Sequence, residues 1–395
     1  MEKATEHTEQ STMDVVRWVH KKLGDNDVSK IIMGQSPSSA AYNEEGVGLP
    51  FLQGCAEFGD VYPNTSIFCS DLLKIAPENS ILMSVRAPVG TINKADQKYV
   101  IGRGLCSIVP MIDGEYLYYY LLQNTHELEL KAQGSTFLAI NSTELNDMPI
   151  CYPDSLPAQR RIAAILSAAD KVIEQTRQLI SKYKSIKQGM MEDLLKPKEG
   201  WKKVRLGEVG TFKNGINKDK SQFGFGTLYV SISDAYYENI DFKKLNRLNA
   251  TEKEIEEYLL VDDDIVFVRS SVKPSGVGYT TLFRHYEKEP VLFSGFMIRY
   301  RLNDKVNNSA EFLNYLFRSE EFRRQVIGKS TVSANTNVNQ ESLKELVCFI
   351  PDFPEQRRIA KILSGIDRKI EAEEKVLEKY IQIKKGLMER LLNEN

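Results

Sequence analysis

PAQRRIAAILSAADKVIEQTRQLISKYKSIKQGMMEDLL, residues 157–195, returns as PEQRRIAKILSGIDRKIEAEEKVLEKYIQIKKGLMERLL, residues 354–392, without a gap and at a constant offset of 197. Of the 39 aligned positions 21 are identical, so the chain contains an internal duplication. Apolar side chains fall at Ile162, Leu166, Ala169, Ile173, Ile180, Tyr183, Met190 and Leu194 in the first copy. In the second they fall at Ile359, Leu363, Ile366, Ile370, Leu377, Tyr380, Leu387 and Leu391. The alternating steps of four and three are those of a coiled-coil seam. Both copies interrupt the seam at the same two places, with Thr176 or Glu373 and with Lys187 or Lys384. A polar seam residue costs stability and fixes register. Asp154-Ser155 and Asp352 are N-cap residue types, each followed by a proline for the first turn, Pro157 or Pro354. About 38 helical residues at ~1.5 Å each would make a rod of roughly 55 Å. Two matching imperfect seams in one chain predict that each helix is the other's partner, and a pseudo-two-fold relation between the halves would make the pair antiparallel.

Weaker echoes extend upstream. Trp18 and Leu23-Gly24 match Trp201 and Leu206-Gly207, and Val85-Arg86 matches Val268-Arg269, at offset 183. Leu117 and Tyr119 then match Leu313 and Tyr315 at offset 196, which predicts an insertion in the second copy between Arg269 and Leu313. Each half therefore reads as a globular part followed by a near-constant helix: 1–155, helix 156–200, 201–352, helix 353–395. Short β-like runs at Ile81 to Arg86, Gly104 to Val109, Thr227 to Ile232 and Asp264 to Arg269 are punctuated by turn residues. One helix sits late in each globular part, at Glu115 to Leu130 and at Ala310 to Val326. The expected fold class is α+β: two mixed α/β domains joined by two long helices that form an antiparallel intramolecular coiled coil.

The chain has 395 residues, enough for two or three domains with their own cores. With 42% hydrophobic and 27% charged residues and no low-complexity tract, disordered and fibrous classes are excluded. No apolar run is long enough to span a membrane, and Met1 to Gln10 is polar and acidic, unlike a signal peptide. Five cysteines (Cys55, Cys69, Cys106, Cys151, Cys348) at irregular spacing suggest no disulfide framework, which fits a cytoplasmic protein. The net charge of −2 hides −9 over 1–155, +4 over 156–200, +1 over 201–352 and +2 over 353–395. It does not decide between nucleic acid and protein as partner.

Catalytic signals are weak. Asp352 with Glu373-Glu374-Lys375 has the acid and lysine spacing of a metal-dependent nuclease, but Glu373 lies in a helix seam and the first copy has neither acid nor lysine at Thr176 to Gln178. Phe223-Gly-Phe-Gly-Thr227 lacks the spacing of a nucleotide loop and reads as a turn. The four histidines, His7, His20, His126 and His285, have no metal-ligand spacing, so no metal is expected. Nucleic-acid contact has better support, because matching polar segments follow the late helix in both halves. They hold Lys131, Gln133, Ser135, Thr136 and Asn141 in the first half, and Lys329, Ser330, Thr331, Asn335, Asn337 and Asn339 in the second. Arg86, and Arg269, Ser270 and Lys273, follow a strand at matching positions. Asn and Gln suit adenine edges, Arg and Lys suit guanine or phosphate, and hydroxyls suit either.

This architecture resembles the DNA-specificity subunit of Type I restriction-modification systems. The resemblance covers the whole chain and rests on Leu156 to Asp170 and Phe353 to Asp367, which follow the pattern LPxQRRIAxILSxxD except that Phe353 stands for the first Leu, and on the similar openings at Trp18 to Gly24 and Trp201 to Gly207. It implies that the globular parts are target recognition domains, each reading one half of a bipartite, asymmetric site in double-stranded DNA, while the helices set the spacer. It also implies docking to two adenine-N6 methyltransferase subunits and, through the complex, to ATP-dependent restriction subunits. Gln159, Arg160, Arg161, Ile173, Tyr183, Gln356, Arg357, Arg358, Ile370 and Tyr380 are the candidates for helix pairing or partner contact. The chain itself would be non-catalytic and carry no cofactor; S-adenosylmethionine, ATP and Mg would belong to the partners. Two expectations compete: a stand-alone nuclease or methyltransferase, disfavoured by the missing motifs, and a coiled-coil scaffold that bridges two partner proteins without touching DNA.

Overall fold

The structure, a computed structural model, describes residues 17–133, 139–236, 240–285, 289–332 and 336–394. Its contacts divide into two units, residues 1–177 with 375–395, and residues 178–374. This division does not follow the two sequence halves, because each long helix begins in one unit and ends in the other. The helices are Leu156–Leu194 and Phe353–Leu391. The second opens with Asp352 as its cap, whose Oδ1 accepts from the Glu355 N–H at 3.1 Å.

In the first unit an antiparallel sheet runs in the order Ser29–Met33, Leu105–Pro110, Ile81–Ser84, Ile92–Lys94. In the second unit Gly210–Asn214, Met297–Leu302, Ile265–Val268 and Thr280–Leu282 repeat that order. Each unit adds a two-stranded ladder, Trp18–Lys22 with Pro149–Pro153 and Lys202–Arg205 with Val347–Ile350. The central strands are apolar at nearly every position because both faces are covered. Ile81, Met83, Cys106 and Ile108 face one core while Leu82 and Leu105 face another. In the second unit Ile265, Phe267, Ile298 and Tyr300 face one core, and Val266, Val268 and Met297 face the other. All five cysteines are free.

Three local expectations change. The helix expected over Ala310 to Val326 is two helices, Ala310–Arg318 and Glu320–Gly328, broken at Ser319. Ser319 is extended there (φ −62°, ψ 148°), and its hydroxyl caps the second helix by accepting from the Phe322 N–H. Phe223-Gly-Phe-Gly-Thr227 is not a simple turn but the start of the strand Phe223–Val230. Phe223 and Thr227 both lie opposite Leu248, and Gly224 and Gly226 take the positive φ angles that let the intervening chain bulge out. The insertion is not a single block either. The register of the paired strands spreads it over the successive connections between Ile265–Val268 and the helix at Ala310.

The helices complete the cores reciprocally. In the first unit Ala163 and Leu166, from the start of the first long helix, pack in the same core as Met388 and Leu392, from the end of the second. In the second unit Ile359, Ala360 and Leu363 share a core with Met191 and Leu195. The ion pairs Lys384–Asp170 in the first unit and Lys187–Asp367 in the second show that the two helices run antiparallel. At the helix ends the buried positions are Met191, Leu195, Met388 and Leu392 rather than the seam positions one residue earlier. The stripe turns there from the partner helix toward a globular core.

Candidate nucleic-acid interface

In the second unit the fold brings together the two segments that the sequence singled out separately. The strand Ile265–Val268 runs on to Arg269, whose carbonyl accepts from the Val338 N–H at 3.0 Å. Ser270–Ser271 pairs with Thr336–Asn337, which pairs with Thr331–Val332. Residues directly opposite in antiparallel strands share a face, so Ser270, Asn337 and Thr331 form one polar row across this small sheet. In the other row Thr336 is buried, which turns the Ser270–Asn337–Thr331 face outward. Arg269 is held at the edge by its Nη1, which donates to the Gly295 carbonyl at 3.3 Å.

Beside this row lies a surface groove of about 740 Å³ lined by Ser270, Ser271, Val272, Lys273, Tyr279 and Phe296, among others. Val272 (84% exposed) and Phe296 (59%) are large apolar groups left in solvent on its rim. Its wall is braced from behind, with the Arg323 guanidinium donating to the carbonyls of Val277 and Ser275. Gly278 (φ 67°) lets the helix Glu320–Gly328 approach so closely that a Cβ would stand 2.3 Å from Val326 Cγ1. Lys273 is exposed on the braced loop. Lys329 follows that helix and pairs with Glu345 at 3.5 Å, and the Ser330 hydroxyl donates to the Val326 carbonyl. A braced loop carrying cations, hydroxyls, an amide and exposed apolar groups can offer phosphate contacts, base-edge hydrogen bonds and a surface for thymine methyls.

The first unit repeats the arrangement more sparsely. Exposed Arg86 follows the equivalent strand and bridges to Ala139, while the Ile140 N–H donates to the Val85 carbonyl at 2.9 Å. Ser135 and Thr136, like Asn335 in the second unit, lie outside the described residues, as do the side chains of Lys131 and Gln133. Asn141 and Asn339 need a different account from the one expected. Their Oδ1 atoms accept from the N–H groups of Glu144 (3.0 Å) and Ser342 (2.8 Å), which makes them the N-caps of the short helices Ser142–Asn146 and Gln340–Lys344.

The helix residues sort in a similar way. Gln159 and Gln356 are buried and do not face a partner surface, contrary to expectation. Gln159 accepts from the Asp113 N–H and donates to the Pro153 carbonyl, and Gln356 does the same with Ser309 and Pro351. These amides staple each helix start to its own globular part. Ile173 and Ile370 are buried, and Tyr183 is half-buried with Lys369 over its ring. Tyr380 is half-buried. Arg160, Arg161, Arg357 and Arg358 are exposed; Arg160 lies 3.7 Å from Asp113, Arg357 over the Phe353 ring, and Arg358 forks onto Glu355 at 2.6 and 2.7 Å.

Sequence reasoning missed one repeated cluster. Asp170 accepts from the Tyr119 hydroxyl at 2.7 Å and pairs with Lys384 at 2.5 Å, and the lysine lies over the tyrosine ring. Asp367, Tyr315 and Lys187 repeat the cluster in the second unit. The lysines that interrupt the seam are thus neutralised by aspartates of the opposite helix. Burial, followed by the Asp170 contact, pushes the Tyr119 phenol well above its ordinary value, so it stays a donor. The available signal was that all three residue types recur at repeat-equivalent positions. The nuclease spacing dissolves: Asp352 is a cap, Glu374 pairs with Lys184, and about twenty helical residues at ~1.5 Å each hold them roughly 30 Å apart.

A family model described as the Type I restriction modification DNA specificity domain matches residues 16–184 and again residues 198–380. The chain is 41% identical over 181 residues to the putative type I restriction enzyme MjaX specificity subunit of Methanocaldococcus jannaschii, covering 45% of this chain and 42% of that protein. It is 27% identical over 243 residues to the MjaIX specificity subunit of the same organism, covering 53% and 55%. The matches therefore span about half the length of these curated relatives. Among solved structures, the S subunit of a Type I restriction-modification system from M. genitalium is similar with a TM-score of 0.60 at 17% identity, over 97% of this chain and 98% of that one. A chain from a study of complex assembly in the type I R-M system gives 0.61 at 13% identity, over 95% and 97%. At such identities the likeness is one of fold, and it extends over both units and both long helices.

Proposed function

The chain belongs to the Type I restriction-modification DNA-specificity family, and from that premise we propose that it is the sequence-reading subunit of such a complex, without catalysis of its own. The observation that carries this reading is the matching station in each unit, where the chain after the late helix folds back onto the strand end at Arg86 or Arg269. Two stations in one chain, built alike but with different residues, suit a bipartite asymmetric site. Arg269 and Lys273 would address phosphate or guanine, Ser270, Asn337 and Thr331 base edges, and Arg86 the other half-site.

The paired helices would hold the half-sites at a set spacing, and their exposed arginines would face two methyltransferase subunits. S-adenosylmethionine, ATP and Mg would be bound by those partners and by the restriction subunits, and the complex would act in the cytoplasm on chromosomal and incoming DNA. Among the described residues no helix is long and apolar enough to cross a membrane. A modest net charge fits an assembly whose partners supply much of the phosphate grip, so the chain alone should bind DNA weakly and with steep salt dependence. The deciding experiment is co-expression with the neighbouring methyltransferase gene, followed by mapping of methylated adenines in host DNA. Methylation at one bipartite motif that vanishes without this chain supports the reading. Methylation unchanged without it returns the DNA-free scaffold to first place.

A further inference from the structure

His20 looks isolated in the sequence but is not isolated in the fold. It stands directly opposite Cys151 in the ladder between Trp18–Lys22 and Pro149–Pro153, so both side chains project from the same face. The Cys151 Sγ lies 3.8 Å from His20 Nε2, and Glu394 Oε2 lies 2.7 Å from the same nitrogen. The three donor atoms fall within 4.8 Å of one another. Each ligand is held from behind. The Tyr116 hydroxyl donates to the Cys151 carbonyl at 3.0 Å, five register pairs fix His20, and Leu392, fully buried in the first unit's core, places Glu394 two residues further on.

We propose that His20, Cys151 and Glu394 form a binding site for a borderline-soft divalent transition metal, zinc by preference. An imidazole nitrogen, a thiolate and one carboxylate are a zinc-type donor set, whereas calcium and magnesium favour oxygen donors alone. Three protein ligands leave a fourth tetrahedral position. Water can fill it, because His20 and Cys151 also help line an open cleft of about 660 Å³ together with Tyr120 and Asn124. Binding releases the Cys151 thiol proton to solvent. A plain His20–Glu394 contact would account for two of the three groups but not for the thiol beside them. Among the described residues the second unit has no such site, because its ladder sets Lys203 opposite Phe349 and turns Cys348 into the core. One metal per chain is therefore expected, fastening the end of the second long helix to the edge of the first unit.

The test uses the full-length chain stripped with a chelator and titrated with Zn²⁺, and with Co²⁺ as a spectroscopic probe. The expected result is uptake of one equivalent, a tetrahedral Co²⁺ spectrum with a thiolate charge-transfer band, and a higher melting temperature with metal. Cys151→Ser should remove the charge-transfer band, and His20→Ala should weaken binding by at least about a hundredfold, above the loss typical of supporting residues. Both should leave the far-ultraviolet dichroism of the metal-free protein unchanged, since His20 is exposed and Ser is nearly isosteric with Cys. No uptake at stoichiometric metal, an octahedral spectrum, or a spectrum indifferent to Cys151→Ser would overturn the proposal.

Discussion

Replacing Lys187 with Met tests whether the polar breaks in the helix seam are stabilising contacts. Met keeps the unbranched apolar stem and removes the ammonium with its place over the Tyr315 ring, so the Asp367 carboxylate is left with the Tyr315 hydroxyl as its remaining partner among those described. Breaking a fully buried ion pair costs about 3–5 kcal/mol, and an exposed one contributes about 0–1 kcal/mol. The Lys187 and Asp367 side chains are 11% and 22% exposed, which places this pair nearer the buried limit, at about 2–3 kcal/mol. In the repeat-equivalent pair Lys384 is 18% and Asp170 is 40% exposed. Water screens that carboxylate, so Lys384→Met should cost only about 1 kcal/mol. The assay is urea unfolding of the full chain followed by tryptophan fluorescence. Trp18 lies in the first unit and Trp201 in the second, so Trp18→Phe and Trp201→Phe backgrounds report each unit separately. In a double-mutant cycle, Lys187→Met with Asp367→Asn should cost less than the sum of the two single changes. A Lys187→Met cost below about 0.5 kcal/mol, the scale of ordinary surface changes, or a larger cost for Lys384→Met, would refute the reasoning.

Other perturbations follow from the same contacts. Gln356→Leu should destabilise the second unit by about 2 kcal/mol in urea unfolding, because the Ser309 N–H and the Pro351 carbonyl lose their partner; Gln159→Leu should do the same to the first. Ile173→Asp together with Ile370→Asp places two charges at positions 5% exposed and should abolish helix pairing and co-purification with the methyltransferase. In the assembled complex, Ser270→Ala or Asn337→Ala should relax sequence preference in one half-site only, by about 1–3 kcal/mol per lost base contact, read by methylome sequencing. Lys273→Ala should weaken binding to all sequences alike and lower the salt slope by about one, measured by titration of the complex at several salt concentrations.

The duplication and both long helices were legible because they rest on local periodicity, which one sequence contains in full. The strand cores could be read for the same reason: Ile81–Ser84 and Ile265–Val268 are short apolar runs bounded by turn residues. What escaped was long-range. Whether Lys187 interrupts a seam or completes an ion pair depends on Asp367, which sequence spacing cannot align with it. The break at Ser319 was hidden because apolar periodicity continues through it, while a capping hydroxyl reverses the local backbone preference. Gln159 and Gln356 looked like surface residues because glutamine usually is one; only the backbone groups of Asp113, Pro153, Ser309 and Pro351 make burial tolerable. At the candidate interface residue types pointed to Arg269 and to Thr331 and Asn337 separately, and only the strand pairing joins them. They could not separate Asn337, paired across a sheet, from Asn339, committed to a helix cap.

The reciprocal cores also set a timetable for synthesis. Met388 and Leu392, which fill the first unit's core, follow the whole of the second unit in the chain. At roughly 5–20 residues per second, the roughly 200 residues that follow the first long helix take on the order of 10–40 s to appear. Throughout that interval Ala163 and Leu166 present an apolar face with no lid. The nascent first half therefore leaves uncovered an apolar face that the end of the second long helix later closes. A chain cut before Met388 would lack the two side chains that close this side of the first unit's core.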